Sequence, residues 1–482
     1  MALNIVQAPL NGTGFKPTPV GQQLIFAVRN TWAVAEKFNV KYRADVFISN
    51  SAIDLNATTD RIGIFKTTPN NAGSGIFDFR PVVETFVKAD NEGSTFGNGS
   101  RYKESDVPHP IHLIDKYAMS ENAMRFMAIN FYIEYTDTAG GTPYTVPNAE
   151  PSDVYILFNG VLQYDDVLTL NKGNYGYDLA RPTDFFATAT LSNFLSNAPT
   201  TQYATINDYG TLPFLNFLPT TDNRLSKIRI TYYWDGGSSS QDVTQSWTNG
   251  GYSTNQSNIT PRVDKNLMYF GGFPANLRNW STTADYGANS FETAVTNGLT
   301  HYTIIGSNTG AGTTMNTYTI QIICPNGEGY NRGYEMVRLA WLNQWGTWDY
   351  YTFTMKSTRS VSTNRIPYQQ QGGTWNEKTF KIKGWKGGKK NFRVNSTEKI
   401  KINTDFVTEA EGVWLEELIN SPEVYIINEY QTDISSEVIT NKYVEPVTVT
   451  TSNYIRKTKA NDRLMQYTFE IEKSKMKRTQ AV

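Results

Sequence analysis

The sequence predicts a mainly β, multi-domain protein in which β-sandwich domains are joined to a C-terminal α+β unit. Aromatic residues make up 13% of the 482-residue chain, and charged residues make up only 18%. Aromatic side chains favour the pleated, half-buried surface of a sheet. Several segments also alternate apolar and polar residues with the two-residue period of a strand. Because a chain of this length exceeds one ordinary core, about two to four domains are expected.

The first domain, residues 1–140, is predicted to be β-sandwich-like. Its clearest strand is residues 38–48, in which apolar and polar residues alternate from Phe38 to Ile48. That alternation assigns Asp45 to the solvent face. A short helix is predicted over residues 82–87, and glycine and proline after Asp137 mark the end of the domain.

The second domain, residues 141–300, is predicted to be a loop-rich β domain. Short aromatic strands, such as residues 154–158 and 228–234, alternate there with long loops rich in Asn, Thr, Gly and Ser. Loops of that length usually bind a ligand or pack on a neighbour. Aromatic side chains that suit sugar stacking are Tyr164, Tyr175, Tyr177, Trp234, Trp247, Tyr252 and Trp280.

The third domain, residues 301–482, is predicted to be a β or α+β domain with an aromatic hairpin. Residues 338–353 place three tryptophans around Gly346, and residues 343–346 supply turn chemistry between two strands. A helix is predicted from Glu409 to Asn420, because Thr408 and Glu411 match a capping box.

The helix is expected to lie across a sheet. Trp414, Leu415 and Leu418 fall on one helical face, and Pro422 ends the helix. A short apolar strand follows at residues 424–427, and the alternation around Phe469 predicts a last, half-buried strand.

The order of these motifs resembles a family of virion structural proteins of tailed bacteriophages. The motifs are Trp-Leu-Asn, a glycine and Trp-Asp-Tyr-Tyr-Thr-Phe, then the capped helix that ends in Asn-Ser-Pro-Glu-Val-Tyr, and finally Tyr-Thr-Phe-Glu-Ile-Glu. The N-terminal third is similar to the same family at residues 24–26, 38–48 and 75–79. The resemblance leaves residues 140–330 less well covered.

The resemblance implies a non-enzymatic structural component of the virion, in the tail or baseplate. It implies assembly with copies of the same chain and with other virion proteins, and it supplies no catalytic residues. Such a protein would be assembled in the host cytoplasm and located in the virion. The N-terminus has no secretory signal pattern, and the chain has no apolar run that would insert into a membrane.

Composition and motifs give little support for catalysis or cofactor binding. The formal charge of −1 provides no global field for nucleic acid, so nucleic acid is not an expected partner. His109, His112 and Asp115 match no established metal-site spacing, and Cys324 is the single cysteine. The sequence contains no serine-hydrolase elbow, P-loop or dinucleotide fingerprint. We therefore expect neither a cofactor nor a bound metal.

One charged cluster is a candidate contact with another subunit or with a polyanion. Its members are Lys378, Lys381, Lys383, Trp385, Lys386, Lys389 and Lys390, with Phe380 and several glycines between them. Lysines beside a stacking aromatic suit phosphate groups, an acidic polysaccharide or an acidic protein surface. The alternative interpretation is a solvated hairpin tip whose lysines prevent edge-to-edge strand pairing.

A second function remains open from the sequence. A tail-tip receptor-binding protein that binds or cleaves host surface carbohydrate would use the aromatic loops of the second domain. Paired carboxylates such as Asp165 and Asp166 would suit sugar cleavage, but with 45 acidic residues in the chain a solvated turn is the favoured interpretation.

Overall fold

The fold is mainly β, as the sequence predicts. A computed structural model gives the structure of this protein. It describes residues 3–9, 16–50, 53, 55, 59–87, 95–96, 117–119, 123–162, 193–215, 227–244, 267–279, 290–307, 315–323, 334–427, 444–456 and 465–475. Among these residues, no helix is long and apolar enough to cross a bilayer.

The strands and helices up to residue 322 are short, apart from two long strands. The strands are β1 (Asn4–Gln7), β2 (Lys16–Pro19), β3 (Ile25–Arg29), β4 (Phe38–Ser49), β5 (Arg61–Thr67), β6 (Ser74–Asp78), β7 (Thr95–Phe96), β8 (Tyr117–Met119), β9 (Met124–Thr136), β10 (Tyr144–Thr145), β11 (Glu150–Pro151), β12 (Tyr155–Phe158), β13 (Thr201–Ala204), β14 (Thr211–Leu215), β15 (Lys227–Trp234), β16 (Gly237–Thr244), β17 (Leu267–Gly271), β18 (Leu299–Ser307) and β19 (Tyr318–Ile322). The helices are α1 (Thr31–Glu36), α2 (Arg80–Val83), α3 (Pro274–Asn279) and α4 (Ser290–Thr296).

The remaining elements include the predicted hairpin and the predicted helix. They are β20 (Val337–Leu342), β21 (Trp348–Phe353), β22 (Thr358–Gln370), β23 (Gly388–Asn403), α5 (Glu409–Asn420), β24 (Val424–Ile427), β25 (Val444–Val449) and β26 (Thr468–Lys473). The bounds of α5 and β24 agree with the sequence prediction, and so do the two strands of the hairpin.

The strands form five sheets. Their orders are β1-β3-β6; β2-β12-β9-β4-β5, with β10 and β11 also paired to β9; β13-β19-β18-β15-β16; β14-β17-β8-β7; and β21-β20-β24-β25-β26-β23-β22. The chain divides into two compact units. The first contains residues 1–330, 342–350 and 435–439, and the second contains residues 331–341, 351–434 and 440–482.

The domain boundaries near residues 140 and 300 stay a prediction. One fact bears on the first sheet of the chain. Strands β10, β11 and β12 all pair with β9, so the sheet that contains β9 continues to Phe158.

Aromatic rings join the first two sheets of the first unit face to face. Phe26 of β3 lies 5.8 Å from Phe131 of β9 and 5.4 Å from Tyr155 of β12, and Phe77 of β6 lies 5.7 Å from Phe131. All four side chains are buried. Such pairs add to the free energy gained from burial, and their arrangement is that of a small β-sandwich.

One side chain of β4 departs from the predicted alternation. Asp45 is buried, whereas the period-2 pattern assigns it to solvent, and Phe38 at the start of the strand is exposed. The Asp45 carboxylate accepts hydrogen bonds from Arg43 Nε at 2.7 Å and from Arg61 Nη1 at 3.2 Å. Two guanidinium groups make burial of that carboxylate tolerable, and one of them comes from the neighbouring strand β5.

Helix α5 starts with the predicted capping box. The Thr408 hydroxyl accepts from the Glu411 backbone N–H at 3.3 Å, and the Glu411 carboxylate accepts from the Thr408 backbone N–H at 2.7 Å. These reciprocal bonds satisfy backbone donors that the first helical turn leaves unpaired.

The buried face of α5 packs on the sheet of the second unit. The Trp414 ring lies 5.1 Å from the Trp341 ring of β20 and 6.1 Å from the Tyr351 ring of β21. Phe353 and Phe469 extend this core at 5.6 Å. The predicted stripe of Trp414, Leu415 and Leu418 is buried.

Replacing Trp414 by Ala should lower the free energy of unfolding by about 3–5 kcal/mol, because it removes a buried ring and leaves a cavity. Only 4% of Trp414 is exposed, whereas Val413 beside it is 48% exposed. Val413→Ala on the same helix should therefore stay within about 0.5 kcal/mol of the unmodified protein. Denaturant unfolding of the two variants measures the difference, and equal values would contradict this packing.

Candidate functional site

The most unusual feature of the second unit is a long two-stranded ribbon. Strands β22 and β23 pair antiparallel from Thr358 opposite Lys401 to Gln370 opposite Gly388. Strand β26 pairs with β23 only from Lys399 to Asn403. The part of the ribbon between Val361 and Gln370 therefore extends past the sheet by roughly 30 Å at the usual rise per strand residue. We call residues 358–401 the arm, and residues 371–390 its tip.

Both faces of the arm are exposed. Every residue of β22 before Gln370 is exposed, and so are the residues of β23 from Gly388 to Val394. Apolar side chains are among them, namely Val361, Ile366, Tyr368, Phe392 and Val394. The described residues do not cover this part of the arm as a second layer normally covers strands. A two-stranded ribbon without such packing is only marginally stable in water.

An ion network holds the base of the arm. The Arg359 guanidinium donates from Nη1 to Glu398 at 3.0 Å and from Nε to Glu335 at 3.0 Å. Hydrogen bonding to Glu335 is the largest cause that raises the pKa of Arg359. Glu398 is almost fully buried. The network fixes the point at which the ribbon leaves the sheet, because charge-assisted bonds of this kind are directional.

The tip is folded by its own hydrogen bonds. The Thr374 hydroxyl donates to the Thr379 carbonyl at 3.1 Å and accepts from the Lys381 backbone N–H at 2.8 Å. Trp375 Nε1 donates to the Gly372 carbonyl at 2.7 Å. The Trp375 ring meets the Phe380 ring edge to face at 5.4 Å. The buried Thr374 hydroxyl thus links two parts of the tip loop, while the Trp375 and Phe380 rings stay exposed.

Two glycines are required by the shape of the tip. Gly373 has φ of +79°, and a Cβ added there would lie 2.2 Å from Phe380 Cε2. Gly387 has φ of +99° and lies against Gly372, whose Cα would be 3.0 Å from an added Cβ. Left-handed backbone and close approach both favour glycine over any residue with a Cβ.

The structure brings all seven predicted residues together on this tip. Lys378, Lys381, Lys383, Trp385 and Lys386 lie in its loop, and Lys389 and Lys390 lie at the start of β23. The Lys386 ammonium lies 5.3 Å from the Trp385 ring centroid, and Lys390 Nζ donates to the Trp385 carbonyl at 3.4 Å. Among the described residues, no carboxylate forms a salt bridge with any of these lysines. The tip therefore presents unneutralised positive charge.

The tip also presents apolar side chains that the sequence did not single out. Trp375 is 65% exposed, Ile382 is 86% exposed and Trp385 is 70% exposed. Sequence reasoning missed Trp375 and Ile382, because neither falls in a periodic pattern. Ile382 lies between Lys381 and Lys383, but this short alternation ends at Gly384 and is too brief to predict a strand.

The other candidate residues give less. Trp234 is half-buried at the turn between β15 and β16. His301 stacks on Tyr233 at 4.7 Å and is structural. Within the described ranges, no group of His, Cys, Asp and Glu is arranged to hold a metal ion. Outside those ranges lie Tyr164, Asp165, Asp166, Tyr175, Tyr177, Trp247, Tyr252, Trp280, His109, His112, Asp115 and Cys324.

Comparison with known proteins adds no functional argument. No protein-family model and no curated protein matches the chain. One solved structure with some similarity is trypsin-activated alpha-2-macroglobulin from Escherichia coli, with a TM-score of 0.18 and 8% sequence identity. The match covers 82% of this chain and 22% of the length of that protein. A TM-score of this size does not establish a shared fold.

Gly373→Ala should unfold the tip and leave the body of the protein intact. The new Cβ meets the Phe380 ring, and alanine pays for a left-handed conformation, so amide exchange over residues 371–388 should accelerate by about tenfold or more. Hydrogen-exchange mass spectrometry measures this change.

Gly384→Ala is the matched control, because no atom lies within 4 Å of a Cβ added there. Its exchange should match that of the unmodified protein. Equal protection in the two variants would contradict the described tip conformation.

Proposed function

We propose that this protein is a non-enzymatic structural component of a tailed-phage virion, in the tail or baseplate, and that it works by subunit assembly. The observation that carries the assembly proposal is the arm, whose two faces expose apolar side chains along its length. Exposed apolar surface of this extent is typical of a protein interaction site.

The energetics of the arm support assembly over a free surface. Each exposed large apolar side chain gains about 1.5–3 kcal/mol when it is fully buried, and a partner would bury several of them together. The tip combines aromatic rings with long cations, and aromatic residues are enriched at the centre of protein interfaces.

The phage assignment rests on the sequence resemblance. The hairpin, the capped helix and the last strand carry that resemblance, and all three are formed in the structure. In this proposal the partners are copies of the chain and other virion proteins, and the protein is assembled in the host cytoplasm before it enters the particle.

Antibody against this chain should label purified particles at the tail or baseplate in electron micrographs. Antibody against a host cytoplasmic protein is the control for contamination. Particles that contain none of this chain by mass spectrometry would reject the proposed function.

Reversing the charge of the tip should impair particle assembly. With Lys386, Lys389 and Lys390 replaced by Glu, we expect the plaque titre to fall by at least about tenfold, because three contacts of the interface are lost. Lys41, Lys356 and Lys475 are exposed and lie outside the arm. Their replacement by Glu changes the net charge equally and should leave the titre unchanged.

A receptor-binding protein at the tail tip is the second candidate, and the exposed Trp375 and Trp385 favour it. An exposed indole stacks on a sugar ring as readily as it packs in a protein interface. Glycan-array binding that is lost in Trp375→Ala and Trp385→Ala would support this function, and release of reducing sugar from host polysaccharide would add cleavage to it.

A further inference from the structure

The arm and the segment that follows it carry opposite charges of equal size. Residues 358–401 contain 11 basic and 2 acidic side chains, which gives a formal charge of +9. Residues 402–441 contain 9 acidic side chains and no basic one, which gives −9. The whole chain has a formal charge of −1. Its near neutrality thus hides a strong separation of charge between two consecutive segments of the sequence.

Among the described residues, the tip lysines form no ion pair with a carboxylate of residues 402–427. In the described part of residues 402–441, Glu416 pairs with Arg456 and Glu411 serves the capping box. Glu409 lies exposed on the first turn of α5. Lys399 at the base of the arm pairs with Glu470 and Glu472, whereas the tip lysines form no salt bridge with a carboxylate of the described residues.

Apolar side chains accompany the carboxylates. Phe406, just before α5, and Val413 on its outer face are both exposed. This surface therefore combines negative charge with exposed apolar groups, and the tip combines positive charge with Trp375, Ile382 and Trp385. Complementary potentials of this kind set the register and orientation of a protein interface.

We propose that the arm of one copy docks onto the outer face of α5 in a second copy. This inference rests on the proposed function, since it names the partner of the assembly. Tip lysines face Asp405 and Glu409, and the tip aromatics cover Phe406 and Val413. Pairing of two arms is disfavoured because each carries +9, and like charges opposed across strands repel.

The contact is heterologous, because two different surfaces meet. Repeated from copy to copy, it closes into a ring or continues as a helical array; exchanged between two copies, it gives a dimer. A polyanion is the less suitable occupant, since it would cover the lysines and leave the apolar side chains along the ribbon in water.

Sedimentation equilibrium of the purified full-length protein tests the proposal. The unmodified protein should self-associate, more weakly at high salt because ions screen the contact. K386E/K389E/K390E should raise the Kd about tenfold, and adding D405K/E409K should recover part of that loss. K41E/K356E/K475E, with the same change in net charge, should associate like the unmodified protein. Circular dichroism establishes that each variant is folded.

Three outcomes would overturn the proposal. They are an unmodified protein that stays monomeric at every concentration, an arm variant that associates normally, and a control variant that loses association equally. A monomer that binds dextran sulfate through the tip lysines would instead make the arm a polyanion site.

Carbodiimide cross-linking of a mixture of ¹⁴N-labelled and ¹⁵N-labelled protein locates the contact. Links between tip lysines and Asp405 or Glu409 should join light and heavy copies, and links confined to one copy would reject docking. The labelling of particles is independent of these results. A monomer found in particles rejects arm docking and keeps the proposed function, whereas a self-associating protein absent from particles does the reverse.

Discussion

A two-stranded ribbon has no face that is buried against a second layer, and the proposed function of this protein depends on that constraint. Each strand of a sheet normally buries one face against another layer, whereas β22 and residues 388–394 of β23 leave both faces of the arm exposed up to residue 369. Its apolar side chains therefore gain their burial free energy only when another molecule covers them. The free energy of the arm therefore depends on the surface that would cover it.

The second unit supports such an arm through its core. Trp414 of α5 packs on Trp341, Phe353 packs on Phe469, and β23 is continuous from the tip to its pairing with β26. A single strand therefore belongs to both the buried sheet and the exposed ribbon. At the base of the arm, Arg359 donates hydrogen bonds to Glu335 and Glu398, and this network fixes the point at which the ribbon leaves the sheet.

Sequence patterns predicted the features whose signals are local. The capping box of Thr408 and Glu411 spans three residues, and the hairpin turn needs only Asn343 and Gly346, so both were found with their bounds. Periodicity failed where its physical basis was absent. Strand β22 has no buried face, so its sequence has no apolar–polar alternation from which its length could be predicted. Asp45 is buried against the predicted pattern, because Arg61 of another strand donates a hydrogen bond to it. The charged residues of the tip were predicted as one cluster because they are adjacent in sequence, whereas Trp375 and Ile382 gained significance only from their exposure.

The tip lysines have two interpretations, protection against edge-to-edge strand pairing and contact with another subunit. The two are compatible, because one applies before assembly and the other after it. Before assembly, charge along an exposed ribbon prevents its edges from pairing with other ribbons, and equal charges on all arms make that repulsion mutual. In the proposed docking, the same charges meet Asp405 and Glu409 at the N-terminal end of α5, and repulsion between arms is replaced by attraction between an arm and a different surface. Apolar side chains on the ribbon are then buried and stabilise the contact, whereas before assembly the repulsion between arms keeps them from promoting aggregation. A neutral arm would still bury its apolar side chains, but it would not favour an acidic surface over another arm. The placement of charge therefore determines which contact the apolar surface makes.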